Sequence, residues 1–127
     1  MTTKNPIAWF EIYMQDLPRA QAFYEAVLET SLTPMNDPTD SGLEMLCFPS
    51  SKDEYGAPGA LIKMENAPSG FSGTIVYFKC DNCEVVANRA AASGGNIFKE
   101  KMPIGDYGFM ALIYDTEGNM IGLHSMK

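Results

Sequence analysis

Glu11 is the polar residue whose surroundings in the sequence most favour chemistry. It lies within the apolar and aromatic run Ile-Ala-Trp-Phe-Glu-Ile-Tyr-Met, residues 7–14. A carboxylate held partly out of water has a raised pKa, and it can serve as a base or as a hydrogen-bond partner for a ligand. The alternative is a structural carboxylate that pairs with Lys79 or with a backbone donor.

His124 is the second candidate, because it is the only histidine in the chain. Near neutral pH its ring can donate a hydrogen bond to a ligand or accept one. It lies close to Lys127 at the end of the chain, where segments fray, so an exposed side chain that contacts no ligand is the alternative.

Cys80 and Cys83 have the C-x-x-C spacing and precede a predicted helix, where the pKa of a thiol is lowered. A redox dithiol is one interpretation of this pattern, and the repeated order of elements favours the other. The alternative is two small apolar residues, one at the end of a strand and one at the start of a helix. With three cysteines in total and no second C-x-x-C, a four-cysteine zinc site is not indicated, and reduced thiols fit a cytoplasmic location.

The run 7–14 is rich in β-branched and aromatic residues, which predicts a strand. Because side chains alternate along a strand, Trp9, Glu11 and Tyr13 are expected to share one face. Asp16 is a suitable N-cap for a following helix that ends at about Glu29, with Pro18 in its first turn.

The same order of elements occurs twice, so each half of the chain is predicted to be β-α-β-β-β. In the second half, Asp81 or Asn82 can cap a helix that ends at about Ala92. The predicted strands, apart from 7–14, lie near 31–36, 43–49, 59–65, 74–80, 96–102, 108–114 and 119–125.

Composition limits the class of protein. The chain has 127 residues, 46% of them hydrophobic, which predicts one domain, 1–127, with modules at about 5–66 and 72–127. A net charge of −7 disfavours nucleic acid and anionic membrane surfaces as partners. We find no apolar run of membrane-spanning length and no apolar leader in the first residues, and we therefore expect a cytoplasmic protein.

Three stretches resemble the vicinal oxygen chelate superfamily, which contains glyoxalases, extradiol dioxygenases and bleomycin-resistance proteins. They are DLPRAQAFY with the following VL in residues 16–28, AAASGG in 90–95, and DTEGNMIGL in 115–123. The resemblance implies an α+β fold in which two βαβββ modules form a curved mixed sheet around a concave groove, with the helices on the outer face. It also implies a small-molecule ligand and a homodimer.

Family enzymes usually hold a divalent metal through His, Glu or Gln on the first and last strands of each half. The matching positions here are Trp9, the vicinity of Ile75, the region 60–62 and Gly122. An indole nitrogen only donates, and aliphatic side chains and glycine offer no lone pair. We therefore expect no metal ligands, no metal and no other cofactor.

These considerations predict a glyoxalase-like or bleomycin-resistance-like protein that binds a small organic molecule in an aromatic groove without a metal. The alternative is a lyase, isomerase or dioxygenase-type enzyme that uses Glu11 and His124 in a non-standard metal site or in acid–base chemistry. A third class is an interaction module whose groove is filled by its own side chains. Catalytic residues are not assigned, and the predicted ligand-binding residues are Trp9, Glu11, Tyr13, Tyr77, Lys79 and His124.

Overall fold

A computed structural model describes residues 4–39, 41–71 and 73–127. It contains two α-helices and eight strands in the predicted order, so the α+β class and the repeated β-α-β-β-β order are confirmed. No helix in these ranges is long and apolar enough to cross a membrane. The elements are β1 (Ile7–Tyr13), α1 (Leu17–Leu28), β2 (Thr33–Met35), β3 (Glu44–Cys47), β4 (Gly59–Lys63), β5 (Thr74–Lys79), α2 (Cys83–Ala92), β6 (Asn96–Pro103), a 3-10 turn (Gly105–Tyr107), β7 (Phe109–Tyr114) and β8 (Met120–Ser125).

The chain divides into two compact units. Of the described residues, the first unit contains those within Trp9–Thr74, and the second contains Ile75–Lys127 together with residues 4–8. In the first unit the strand order is β2-β3-β4-β1, with β1 parallel to β4 and the other pairs antiparallel.

Helix α1 packs on one face of the strands of the first unit. Asp16 caps it by accepting a hydrogen bond from the backbone N–H of Arg19 at 3.0 Å, and Glu29 ends it in the left-handed conformation. The buried side chains between helix and strands are Met14, Leu17, Leu32, Leu46 and Leu61.

The apolar spacing of the sequence correctly predicts helix α1. It also predicts a buried face that is wider than the one observed. Phe23, Val27 and Leu28 follow the helical spacing, yet each is more than half exposed. Periodicity identifies an apolar stripe on a helix, but it does not show how much of that stripe the adjacent strands can cover.

In the second unit the strand order is β5-β8-β7-β6, with β5 parallel to β8. Of the two cap candidates for α2, Asn82 is the N-cap, because its Oδ1 accepts a hydrogen bond from the backbone N–H of Glu84 at 3.0 Å. Helix α2 packs on a core that consists of Cys83, Ala87, Ala111, Ile113 and Leu123.

Candidate functional site

Trp9, Glu11 and Tyr13 lie on the face of β1 that is turned away from α1, as the strand alternation predicts. The intervening Ile12 and the following Met14 pack instead into the core beneath that helix. We call Trp9, Glu11 and Tyr13 the Glu11 cluster. Its two aromatic side chains pack against a buried cluster formed by Met45 of β3 and by Ala60 and Ile62 of the adjacent β4.

Both carboxylate oxygens of Glu11 accept hydrogen bonds from the aromatic residues beside it. Trp9 Nε1–H donates to Oε2 at 3.0 Å, and the Tyr13 hydroxyl donates to Oε1 at 2.7 Å. The Glu11 residue is only 9% exposed. Hydrogen bonds to an ionised acceptor are short and strong, and they compensate for removing a charge from water.

The pKa of the Tyr13 hydroxyl is raised far above its ordinary value. Burial is the largest cause, followed by the negative charge of Glu11 and by the hydrogen bond to that carboxylate. The phenol therefore stays protonated throughout the physiological pH range and remains a donor. The two donors thus hold the carboxylate of Glu11 in one orientation.

The strand alternation predicts that these three residues share one face, but it does not predict the hydrogen bonds between them. The signal was present in the sequence, because residues i and i+2 of a strand lie about 6.5–7 Å apart on the same face. Trp and Tyr on either side of a carboxylate at that spacing can both reach it. The resulting W-x-E-x-Y pattern is visible at residues 9–13.

The predicted residues of the second unit share the face of its strands that is turned away from α2. In the register of β5 and β8, Tyr77 lies opposite Gly122 and Lys79 lies opposite His124. Tyr77 is buried and Lys79 is exposed. A Cβ added to Gly122 would lie 2.3 Å from Tyr77 Cδ2, so the tyrosine ring covers the glycine.

His124 is half-buried and holds the 3-10 turn that connects β6 to β7. Its Nε2 lies 2.6 Å from the backbone oxygen of Tyr107. Because a carbonyl oxygen only accepts, Nε2 carries the proton in this contact, and Nδ1 is the acceptor of the neutral ring. His124 is thus ordered within β8 rather than part of a frayed terminus.

The C-x-x-C pair belongs to the core of the second unit. Cys83 is fully buried, and its backbone N–H donates to Ser125 Oγ at 3.0 Å. Burial raises the pKa of the Cys80 thiol, and the nearby Cys83 and Asp81 raise it further. The expectation of a lowered thiol pKa is therefore wrong for Cys80, since desolvation is the largest influence on that pKa.

Within residues 4–39, 41–71 and 73–127, no group of three or more His, Cys, Asp or Glu side chains could hold a metal ion. Two of the positions that the sequence resemblance assigns to metal ligands are a hydrogen-bonded indole, Trp9, and a glycine beneath the ring of Tyr77, Gly122.

Neither protein-family models nor curated proteins match this sequence. Solved structures do match. A methylmalonyl-CoA epimerase from Mycobacterium tuberculosis shares 15% identity at a TM-score of 0.69, covering 100% of this chain and 93% of that one. A hypothetical protein from Bacillus halodurans C-125 shares 14% identity at a TM-score of 0.72, covering 98% and 96%.

A methylmalonyl-CoA epimerase variant from Streptomyces coelicolor, solved in complex with 2-nitronate-propionyl-CoA, shares 15% identity at a TM-score of 0.66. The match covers 97% of this chain and 95% of the epimerase. At this level of identity the similarity shows the fold alone. It confirms the fold that the three sequence stretches implied.

Proposed function

We propose that this chain, whose fold is that of the vicinal oxygen chelate superfamily, binds a small organic molecule at the Glu11 cluster without a divalent metal. One contact carries the proposal, the 3.0 Å hydrogen bond from Trp9 Nε1–H to Glu11 Oε2. It fixes the indole beside a buried carboxylate. An indole cannot coordinate a metal, and the sequence resemblance assigns a metal ligand to this position.

The Glu11 cluster has the composition of a small-molecule site. Such sites are lined mainly by apolar and aromatic side chains, with a few placed polar groups that orient the ligand. Here two half-buried rings and one carboxylate are packed on apolar side chains. This set supports sequestration, as in bleomycin-resistance-like members, better than metal-dependent glyoxalase chemistry. For Tyr77, Lys79 and His124, ligand binding stays a prediction, as do the homodimer and the cytoplasmic location.

Trp9 gives the proposal a direct test, because it is the only tryptophan of the chain. We would strip the protein with a chelator and titrate it with a panel of small organic compounds, following tryptophan emission. We expect saturable changes with at least one compound, and the same Kd after Mn²⁺, Ni²⁺ or Zn²⁺ is added. Thermal shifts provide a second readout, since a ligand at 100 times its Kd stabilises the fold by about 2.7 kcal/mol.

Tyr13→Phe removes a donor to Glu11 and is expected to weaken the binding of a hit compound. The matched control is Tyr55→Phe, which removes the same hydroxyl from a residue that is 97% exposed. Binding that requires a metal, or that both substitutions affect equally, would overturn the proposal.

A second candidate is an enzyme that moves a proton, with Glu11 and His124 as the acid–base groups. The observation that favours it is the presence of methylmalonyl-CoA epimerases among the structural neighbours. The net charge of −7 opposes a polyanionic CoA ester. Incubation with methylmalonyl-CoA in deuterated water separates the two functions. Deuterium incorporation that Glu11→Gln slows by about 10²-fold or more would support the enzyme.

A further inference from the structure

One imidazole and two thioether side chains lie next to one another on the face of the second unit that is turned away from α2. His124 of β8 pairs with Met110 of β7, and Met110 pairs with Met102 of β6. Paired residues of antiparallel strands project to the same side, with Cβ atoms about 4.5–5.5 Å apart. Phe109 and Ala111, the sequence neighbours of Met110, belong to the core beneath α2, so this Met–Met–His row lies on the opposite face.

The hydrogen bond of His124 leaves one ring nitrogen able to bind a metal ion. Nε2–H donates to the backbone oxygen of Tyr107 at 2.6 Å, so Nδ1 keeps its lone pair. In the part of the chain that the structure describes, Nδ1 makes no hydrogen bond. Histidines that bind metals commonly donate their other N–H to a carbonyl or a carboxylate, which fixes the tautomer and the orientation of the ring.

Both methionines of the row can turn their sulfur atoms towards this nitrogen. Met102 and Met110 are partly exposed, as His124 is, and a thioether side chain has three rotatable bonds with which to adapt. The pairing of β6 with β7 is irregular between Lys99 and Met102. Such irregularities bend a strand and redirect its side chains. Met102 can therefore complete a set of ligands that the adjacent Met110 and His124 begin.

We infer that Met102, Met110 and His124 form a binding site for Cu(I). Thioether sulfur selects this soft ion, and imidazole nitrogen suits it as well. Zn²⁺ instead takes thiolate, imidazole or carboxylate ligands. Among the described residues, no three His, Cys, Asp or Glu side chains are grouped to supply them. The row shares no residue with the Glu11 cluster, and the inference does not rest on the proposed function.

The charges around the row also favour a monovalent ion over a divalent one. Lys79 of β5 pairs with His124, so one ammonium group borders the row. Lys79 is exposed, and its side chain can carry the charge into water. Its repulsion of a monovalent ion is half of that for a divalent ion at the same distance. The net charge of −7 attracts cations to the protein as a whole.

The first test is a titration with Ag⁺, which has the soft character of Cu(I) and does not change its oxidation state in air. The wild type is labelled with ¹³C in its methionine methyl groups and with ¹⁵N in histidine, and spectra are recorded in chloride-free buffer. We expect the methyl signals of Met102 and Met110 and the Nδ1 signal of His124 to shift together and to saturate at one equivalent. The methyl signal of Met120, about 13 Å from His124 along β8, should not follow them.

The second test measures affinity for Cu(I) by competition with bicinchoninate under anaerobic reducing conditions. The background is Cys47→Ser, because Cys47 Sγ lies 3.2 Å from Met35 Sδ and this pair is a competing soft site. Met110→Leu removes the central sulfur and nearly conserves volume. We expect it to weaken Cu(I) binding by about tenfold or more. The matched control is Met120→Leu, which should leave the affinity unchanged.

Three results would overturn the inference. In the first, Ag⁺ shifts the methyl signal of Met35 and none of the signals of the Met–Met–His row. In the second, Met110→Leu and Met120→Leu change the affinity for Cu(I) equally. In the third, Zn²⁺ produces the same shifts at the same concentrations, so that the row does not select a soft ion. The proposed function is tested by organic compounds at Trp9, so either proposal can fail while the other stands.

Discussion

The ring of Tyr77 covers Gly122, so closely that a Cβ on the glycine would lie 2.3 Å from Tyr77 Cδ2 and 2.5 Å from Cε2. The two residues face each other in the parallel register of β5 and β8. The buried ring of Tyr77 thus occupies the space that a side chain at position 122 would need.

Gly122→Ala is expected to destabilise the fold by about 1–3 kcal/mol, because the methyl group must displace a buried ring. In a Tyr77→Ala background the same substitution should be nearly neutral, since the space is then open. Urea unfolding of the four proteins gives the coupling free energy. Equal costs of Gly122→Ala in both backgrounds would show that the ring does not fill this space.

Two substitutions of Glu11 are expected to lower the free energy of unfolding by different amounts. Glu11→Gln is expected to cost about 1 kcal/mol, because its amide oxygen can accept from Trp9 and its amide nitrogen can donate to the Tyr13 oxygen. Glu11→Leu is expected to cost about 2–4 kcal/mol, because the indole N–H and the Tyr13 hydroxyl both lose their acceptor.

The control for Glu11→Leu is a background in which Trp9 and Tyr13 are both replaced by Phe. There the indole and phenol donors are absent, so the leucine should cost less than it does in the wild-type background. Urea unfolding midpoints of these variants are the measurement. A Glu11→Leu protein as stable as the wild type would mean that the two hydrogen bonds contribute little.

Much of the local structure could be predicted from the sequence, because local rules determine it. Alternation along β1 gives the shared face of Trp9, Glu11 and Tyr13, and the residue types at Asp16 and Asn82 predict both helix starts. The turn at 115–119 is equally local, since Asp115 accepts hydrogen bonds from the backbone N–H groups of Glu117 and Asn119.

The remaining features depend on contacts between distant segments or on side-chain rotamers. Tyr77 and Gly122 meet only because β5 and β8 pair in a particular parallel register, which no short motif specifies. The hydrogen bonds of Glu11 depend on which way the two rings turn. The raised pKa of Cys80 follows from the packing of α2 over the strands, and the C-x-x-C spacing alone suggested the opposite shift.

Asp37 is expected to make the stability of the fold depend on pH in the acidic range. Desolvation raises the pKa of its carboxyl group, but hydrogen bonds from the hydroxyl and backbone N–H groups of Thr39 and Ser41 outweigh it and lower the pKa to about 2. Because the folded pKa lies below the unfolded value of about 3.9, this carboxylate stabilises the fold above pH 4, and the contribution is lost as the pH falls towards 2.

Asp37→Asn should therefore be less stable than the wild type at pH 6, and its stability should fall less steeply between pH 4 and pH 2. Urea midpoints over that range test this, with Asp53→Asn in an exposed loop as the control. If the urea midpoints of the wild type and of Asp37→Asn fall equally steeply between pH 4 and pH 2, the prediction is wrong.

Tyr13 gives the matching prediction at alkaline pH. Burial, the charge of Glu11 and the hydrogen bond to Glu11 all raise the folded pKa of Tyr13, whereas in the unfolded chain it ionises near pH 10. Unfolding above pH 10 thus releases a proton from this residue, and stability decreases as the pH rises. Above pH 10, the free energy of unfolding of the wild type should fall by up to about 1.4 kcal/mol more per pH unit than that of Tyr13→Phe.

Urea midpoints at pH 9, 10 and 11 measure this difference, and tyrosinate absorbance shows whether Tyr13 ionises before unfolding. If the folded wild type gains one more tyrosinate than Tyr13→Phe near pH 10, the hydroxyl is not held by Glu11 as the structure describes.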